Sequence, residues 1–175
     1  MVTTLKDQFN VKGYDTTLGY VGRAFAPAKQ DATVVKMLRA LGAVVVAKTN
    51  LPQSIMWCET ENPLWGLTTN PYSREYTPGG STGGEAVLIA GGASMLGLGT
   101  DIGGSIRIPS HMMGIYGFKP SVSSSAKYPP SLSINIRSRA KSTCYRAQDC
   151  LITGCPSRQK DRNMSHRLLD LWLEV

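Results

Sequence analysis

Asp31-Ala32-Thr33-Val34-Val35-Lys36-Met37-Leu38-Arg39-Ala40-Leu41-Gly42-Ala43-Val44-Val45-Val46-Ala47-Lys48 changes its hydrophobic period once, and that change decides the fold class. Val34, Val35, Leu38 and Leu41 recur at the spacing of one helical face, behind an Asp31 that can cap the first turn. Gly42 stands where the chain must leave the helix through a left-handed residue. Ala43 to Lys48 is then short, β-branched and continuously apolar up to its last residue, which predicts a strand buried on both faces. Helix, glycine and buried strand form half of an α/β unit.

The same grammar recurs downstream. Residues 49–78 are broken by Pro52, Pro63, Pro71 and Pro78 and predict irregular chain. Gly79-Gly80-Ser81-Thr82-Gly83-Gly84 follows, with a helix predicted from Glu85 to Ala90 and a second buried strand from Ser94 to Asp101. Glycines inside that strand fit a close approach by another element. Ile102-Gly103-Gly104-Ser105-Ile106-Arg107 is a second glycine turn, and a short helix is expected after it with Pro109 near its start. Beyond Pro120 no period is sustained, and only Ser165 to Val175 has a helical pattern.

Composition marks the same boundary. The 175 residues are 42% hydrophobic and 18% charged, enough for a packed core and too apolar for a disordered chain. Of the net charge of +7, residues 1–120 carry little, with ten basic and eight acidic side chains, whereas residues 121–175 hold nine basic and four acidic. Seventeen of the eighteen glycines lie in 1–120, and ten serines lie in the last 55 residues. Two regions are expected: an α/β domain over 1–120, and a basic, Ser/Arg-rich tail over 121–175 without a core of its own. No uncharged apolar run nears the roughly 20 residues of a membrane span. Met1 to Asp7 has no apolar signal region, so the expectation is a cytoplasmic chain with reduced thiols. Cys58, Cys144, Cys150 and Cys155 form no CxxC pair, and with His166 they match no common zinc spacing, so neither metal nor other cofactor is expected. The basic tail lacks interleaved aromatics and any recognisable nucleic-acid motif, so no nucleic-acid partner is expected.

Glycine turns can serve chain reversal, phosphate binding or an oxyanion hole. Gly79 to Glu85 lacks the Lys-Ser/Thr of a P-loop, and Ile102 stands where a dinucleotide fingerprint needs its third glycine. A turn whose N–H groups converge on an embedded serine, Ser105, suits a tetrahedral oxyanion. Its base is the open question. His111 is only six residues past Ser105 and His166 lies in the tail, which leaves Lys6, Lys12, Lys36, Lys48 and Lys119 as bases if one is buried and uncharged.

Gly79-Gly80-Ser81-Thr82-Gly83-Gly84-Glu85, the run from Gly97 through Thr100-Asp101-Ile102-Gly103-Gly104-Ser105-Ile106-Arg107 to Pro109, and Gly117-Phe118-Lys119-Pro120 together resemble the amidase signature family. Leu5-Lys6-Asp7, Lys48-Thr49-Asn50-Leu51-Pro52-Gln53 and Asn62-Pro63-Leu64-Trp65-Gly66 match it too. Glu85 resembles the branch of fatty acid amide hydrolases and fungal acetamidase-type enzymes. The resemblance implies a mixed sheet flanked by helices, a small-molecule amide substrate and a Ser-cisSer-Lys triad: Lys6 as base, Ser81 as bridge after a cis peptide, Ser105 as nucleophile. It implies an oxyanion hole from the N–H groups of Ile102, Gly103, Gly104 and Ser105. Asp101 and Arg107 would brace the turn, and Thr82 keeps the hydroxyl of a serine common in this loop. Ile55, Met56 and Trp57 fall where the family lines its acyl pocket, although the residues by themselves fit a core equally. The match ends near residue 120, so the chain is read as a truncated, incomplete member: an amide hydrolase, or an inactive fragment of one, with a binding role for the basic tail as a third reading. Lys6, five residues from the first, is expected to fray and to titrate as an ordinary lysine.

Overall fold

A computed structural model describes residues 1–119, together with the backbone of 149–153. The helical pattern at 165–175 and Cys144, Cys155 and His166 lie outside the described residues. Among those described, seven strands and three α-helices follow one another: β1 (Val2–Lys6), α1 (Thr33–Ala40), β2 (Val44–Thr49), β3 (Glu61–Asn62), β4 (Gly66–Leu67), α2 (Gly83–Ala90), β5 (Leu96–Thr100), α3 (Arg107–Met113), β6 (Tyr116–Phe118) and β7 (Asp149–Thr153). Five strands form one sheet in the order β2-β1-β5-β7-β6. β1 runs parallel to β2 and to β5, while β7 is antiparallel to β5 and β6, so the sheet is mixed, as the family resemblance implies.

The alternation of side chains along β1 sets the architecture. Leu5 joins Phe9, Val11, Ala32, Val35 and Leu98 in an apolar cluster beneath α1. Thr4 and Lys6 point the opposite way and meet α2 and the chain leading into it. Val35, fully buried, anchors α1; burying such a side chain contributes roughly 1.5–3 kcal/mol. Along β5 the order is the same: Leu98 faces α1, while Gly97 and Gly99 face α2. A β-carbon at Gly97 would overlap the Glu85 carboxylate, and one at Gly99 would overlap Thr82. Glycine at both positions lets α2 settle on the strand itself.

Within the described residues, the expected helices and strands form within a residue or two of their sequence limits, with three differences. Asp31 does not cap α1: the N-cap is Ala32, and the Asp31 carboxylate instead accepts from the Lys12 N–H at 2.7 Å and pairs with Arg39 at 2.8 Å. β2 is an edge strand among the described residues, with Val44 and Val46 more than half exposed, so its apolar run is not buried on both faces. Finally, Asp149–Thr153, from the stretch read as tail, lies between β5 and β6. Five residues of that stretch thus add a strand to the sheet built by the preceding residues.

Candidate active site

Lys6 ends β1, which lies between β2 and β5 in the sheet, and is completely buried, contrary to the expectation that it frays. Its neighbours on both sides are paired strands, and Phe9 N–H closes a tight turn on its carbonyl at 3.0 Å. The Lys6 amine lies 2.6 Å from Ser81 Oγ, 3.1 Å from Thr82 Oγ1 and 3.3 Å from Thr100 Oγ1. Lys12 and Lys36 are exposed, and Lys48 pairs with Asp7 at 3.4 Å. His111 is exposed on α3.

Ser81 follows a cis peptide bond at Gly80–Ser81. Gly80 has no room for a side chain, since a β-carbon there would come within 2.9 Å of the Trp57 carbonyl oxygen and the Glu59 nitrogen. The next residue, Thr82, donates its N–H to the carbonyl of Ser105 at 3.1 Å, which ties the first glycine loop to the second. Ser105 is partly exposed and opens onto solvent beside Ile102 and Gly103, both exposed. Its hydroxyl forms no hydrogen bond among the described residues, so the serine-to-serine link implied by the family resemblance is not made here, whereas the Ser81–Lys6 link is.

Asp101 organises the turn. Its carboxylate accepts from Gly104 N–H at 2.7 Å and from Ile106 and Arg107 N–H at 3.2 Å, and takes both arms of the Arg107 guanidinium at 2.9 Å. Burial alone would raise its pKa, but the Arg107 fork and the three N–H groups outweigh burial and hold the carboxyl well below the usual range. Gly104 N–H is directed at Asp101, so of the four N–H groups that the family resemblance implies for an oxyanion hole, this one is committed to a carboxylate beneath the turn.

Of the three residues assigned to the acyl pocket, Ile55 goes elsewhere. Ser54 and Ile55 both take left-handed backbone (φ 64° and 62°), and Ile55 packs into a core cluster with Leu18 and Leu51. Met56 and Trp57 are left exposed, with the Trp57 carbonyl against Gly80. Sequence reasoning missed Thr100 and Gln8: Thr100 Oγ1 donates to the Gln8 amide oxygen at 2.7 Å. Position alone held the signal, since Gln8 follows Lys6 by two residues and Thr100 precedes Asp101. Sequence reasoning also missed the setting of Glu85, a fully buried carboxyl 2.5 Å from Thr4 Oγ1 and 2.8 Å from Thr49 Oγ1. Burial pushes this carboxyl up to about 8, against the downward pull of those two hydroxyls and of Lys6.

The model of the family called Amidase matches residues 1–138. The chain belongs to the amidase family. Among amidase-family proteins it is 70% identical over 118 residues to Amidase 1 of Gibberella moniliformis, covering 67% of this chain and 23% of that one. It is 50% identical over 118 residues to fatty acid amide hydrolase 1 of Caenorhabditis elegans, covering 67% and 21%. Its fold resembles the solved structure of native peptide amidase from Stenotrophomonas maltophilia, with a TM-score of 0.60 and 33% identity, over 66% of this chain and 24% of that one. The chain thus spans about a fifth to a quarter of the length of these amidase relatives. No helix of the described residues is long and apolar enough to cross a membrane.

Proposed function

We propose that the chain carries the reacting groups of an amide hydrolase, with Ser105 as nucleophile, Ser81 as proton bridge and Lys6 as base. One observation carries this reading: a fully buried lysine amine 2.6 Å from a buried serine hydroxyl, whose loop is hydrogen-bonded to the Ser105 turn. A buried amine favours its uncharged form, and only that form can take a proton. Substrate binding would turn the Ser105 hydroxyl toward Ser81. The Ser105 proton then passes to Ser81 Oγ as the Ser81 proton passes to Lys6, and Ser105 Oγ bonds to the amide carbon. The oxygen of that carbon becomes an anion facing the N–H groups of Ile102, Gly103 and Ser105. Return of the proton to the nitrogen breaks the C–N bond and releases the amine. Water then cleaves the acyl-Ser105 ester by the same relay, yielding the carboxylic acid and restoring the serine. Met56 and Trp57, exposed next to the Gly80 turn, are suited to flank an apolar acyl chain.

A fluorophosphonate probe tests this, because its P–F bond is displaced only by an activated hydroxyl. The full chain is expected to label on Ser105. Ser105→Ala should abolish labelling, and Lys6→Ala should slow it by about a hundredfold or more, as loss of a base does. Labelling that persists in Ser105→Ala overturns the assignment. Since the chain covers under a quarter of its relatives, labelling without hydrolysis of an aryl amide identifies the second reading, a fragment that keeps the nucleophile but not the turnover.

A further inference from the structure

We propose that Gln8, acting through Thr100, fixes the direction of the hydrogen bond between Lys6 and Ser81. It is a positioning residue of the reaction proposed above, and the inference rests on that reading. An uncharged amine has two N–H groups and one lone pair, and it acts as a base only if the lone pair faces the hydroxyl that will give up its proton. Three hydroxyls surround Lys6, and each could either donate to it or accept from it. Two of them have their protons committed elsewhere. Thr100 donates to the Gln8 amide oxygen at 2.7 Å, and Thr82 donates to the Thr100 carbonyl at 3.4 Å. Both can therefore only accept from Lys6. With its N–H groups drawn to Thr82 and Thr100, the amine presents its lone pair to Ser81, the shortest of the three contacts. The shorter of the two commitments depends on Gln8.

Gln8 itself has no other evident employment. It sits in the turn after β1, is 4% exposed, and its NH2 group has no hydrogen-bond partner among the described residues. Burying an amide with half of it unpaired is unfavourable, and an apolar side chain would fill the place better. The retained acceptor is what Thr100 uses.

Four ionisable groups lie on the elements around Lys6: Glu85 on α2, Asp7 at the end of β1, Lys48 on β2 and Asp101 after β5. Asp7 pairs with Lys48, Asp101 pairs with Arg107, and Glu85 is held by Thr4 and Thr49, so none touches the Gln8 amide and all are common to the variants below.

The test is the fluorophosphonate labelling rate of the full chain against pH, in the wild type, Gln8→Met and Gln8→Glu. Met fills the space without an acceptor and frees the Thr100 proton to turn toward Lys6. Thr100 then competes with Ser81 for the lone pair and favours the uncharged amine. The plateau rate is expected to fall about tenfold or more, while the acid limb, where Lys6 gains its proton, moves lower by about half a pH unit or more. Simple loosening of the fold would lower the plateau and leave the limb in place. Gln8→Glu keeps an acceptor oxygen and should hold the plateau within about threefold of wild type. If Gln8→Met does not fold, Thr100→Val and Thr100→Ser carry the same contrast, with the plateau lost in the first and kept in the second. A Gln8→Met profile equal to wild type overturns the proposal, as does a limb that moves to higher pH, which would mean that the amide is reversed and donates to Thr100. Absence of labelling in the wild type instead refutes the amidase reading, a result distinct from either.

Discussion

Asp101 and Glu85 are both buried carboxyls, and their surroundings send them in opposite directions. Asp101 meets a guanidinium fork and three N–H groups, all donors, and stays ionised. Glu85 meets two threonine hydroxyls in an otherwise closed layer between α2 and the sheet, and keeps its proton up to about pH 8. Depth alone does not decide charge; the number of committed donors does. Asp101 is an electrostatic keystone for the turn that presents Ser105, whereas Glu85 is a neutral hydrogen-bonding link joining β1, β2 and α2.

The largest effect expected from this contrast is on stability against pH. Unfolded, Glu85 ionises near 4.5; folded, it does so near 8. Its contribution is fully present below pH 4.5 and is lost as pH rises to 8, because over that window the unfolded chain has released a proton that the folded chain still holds. At 1.36 kcal/mol per unit the loss is about 5 kcal/mol. Glu85→Gln should remove that slope, so that urea midpoints measured at pH 5 and pH 8 converge in the variant and diverge in the wild type. Equal slopes in both proteins would mean that Glu85 is ionised in the fold and that the contrast with Asp101 is false.

Asp101→Asn gives the next effect. The amide keeps one acceptor oxygen where five donors need two, so stability near neutral pH should fall by about 3 kcal/mol. The sign with pH is opposite to that of Glu85: the Asp101 contribution is present above about pH 4 and is lost as pH falls through its lowered folded value. The variant should therefore be less sensitive to acid while being weaker at neutral pH, as urea unfolding at pH 3 and pH 7 will reveal. The smallest effect belongs to Arg107→Lys. The Arg107 side chain is 56% exposed, so water replaces much of what the fork gave, and the expected loss is about 1 kcal/mol. A loss as large as that of Asp101→Asn would shift the weight of the brace from the backbone N–H groups to the ion pair.

Much of this arrangement is legible in the sequence, though unevenly. The α1–β2 unit and the α2–β5 unit carry their period in neighbouring residues, and the glycine turns have few uses in which two N–H-rich loops flank a serine. β1 does not announce itself, because Thr3, Thr4 and Lys6 are polar residues, and the partners of Thr4 and Lys6 stand 75 to 94 residues away. β7 is hidden because five residues in a Ser/Arg-rich setting form a strand only where a sheet awaits them. The edge position of β2 cannot be read from an apolar run, since strand order depends on long-range pairing. The commitment of Gly104 N–H to Asp101 is hidden for a related reason: a motif names residues, but which way each N–H points is decided by the carboxylate beneath it. Gln8, Thr100 and Glu85 belong to hydrogen-bond networks that no local pattern encodes.

The burial of Lys6 has a consequence for the timing of synthesis. Its three hydroxyl partners stand 75, 76 and 94 residues further along the chain. At about 5–20 residues per second, a ribosome needs several seconds or more to deliver them after Lys6 has emerged. Throughout that interval the lysine is charged and hydrated, and β1 has at most β2 to pair with. Lys6 and its three hydroxyl partners therefore come together only once β5 is available, and a nascent chain stalled before Thr100 should present Lys6 to amine-modifying reagents that the finished protein resists.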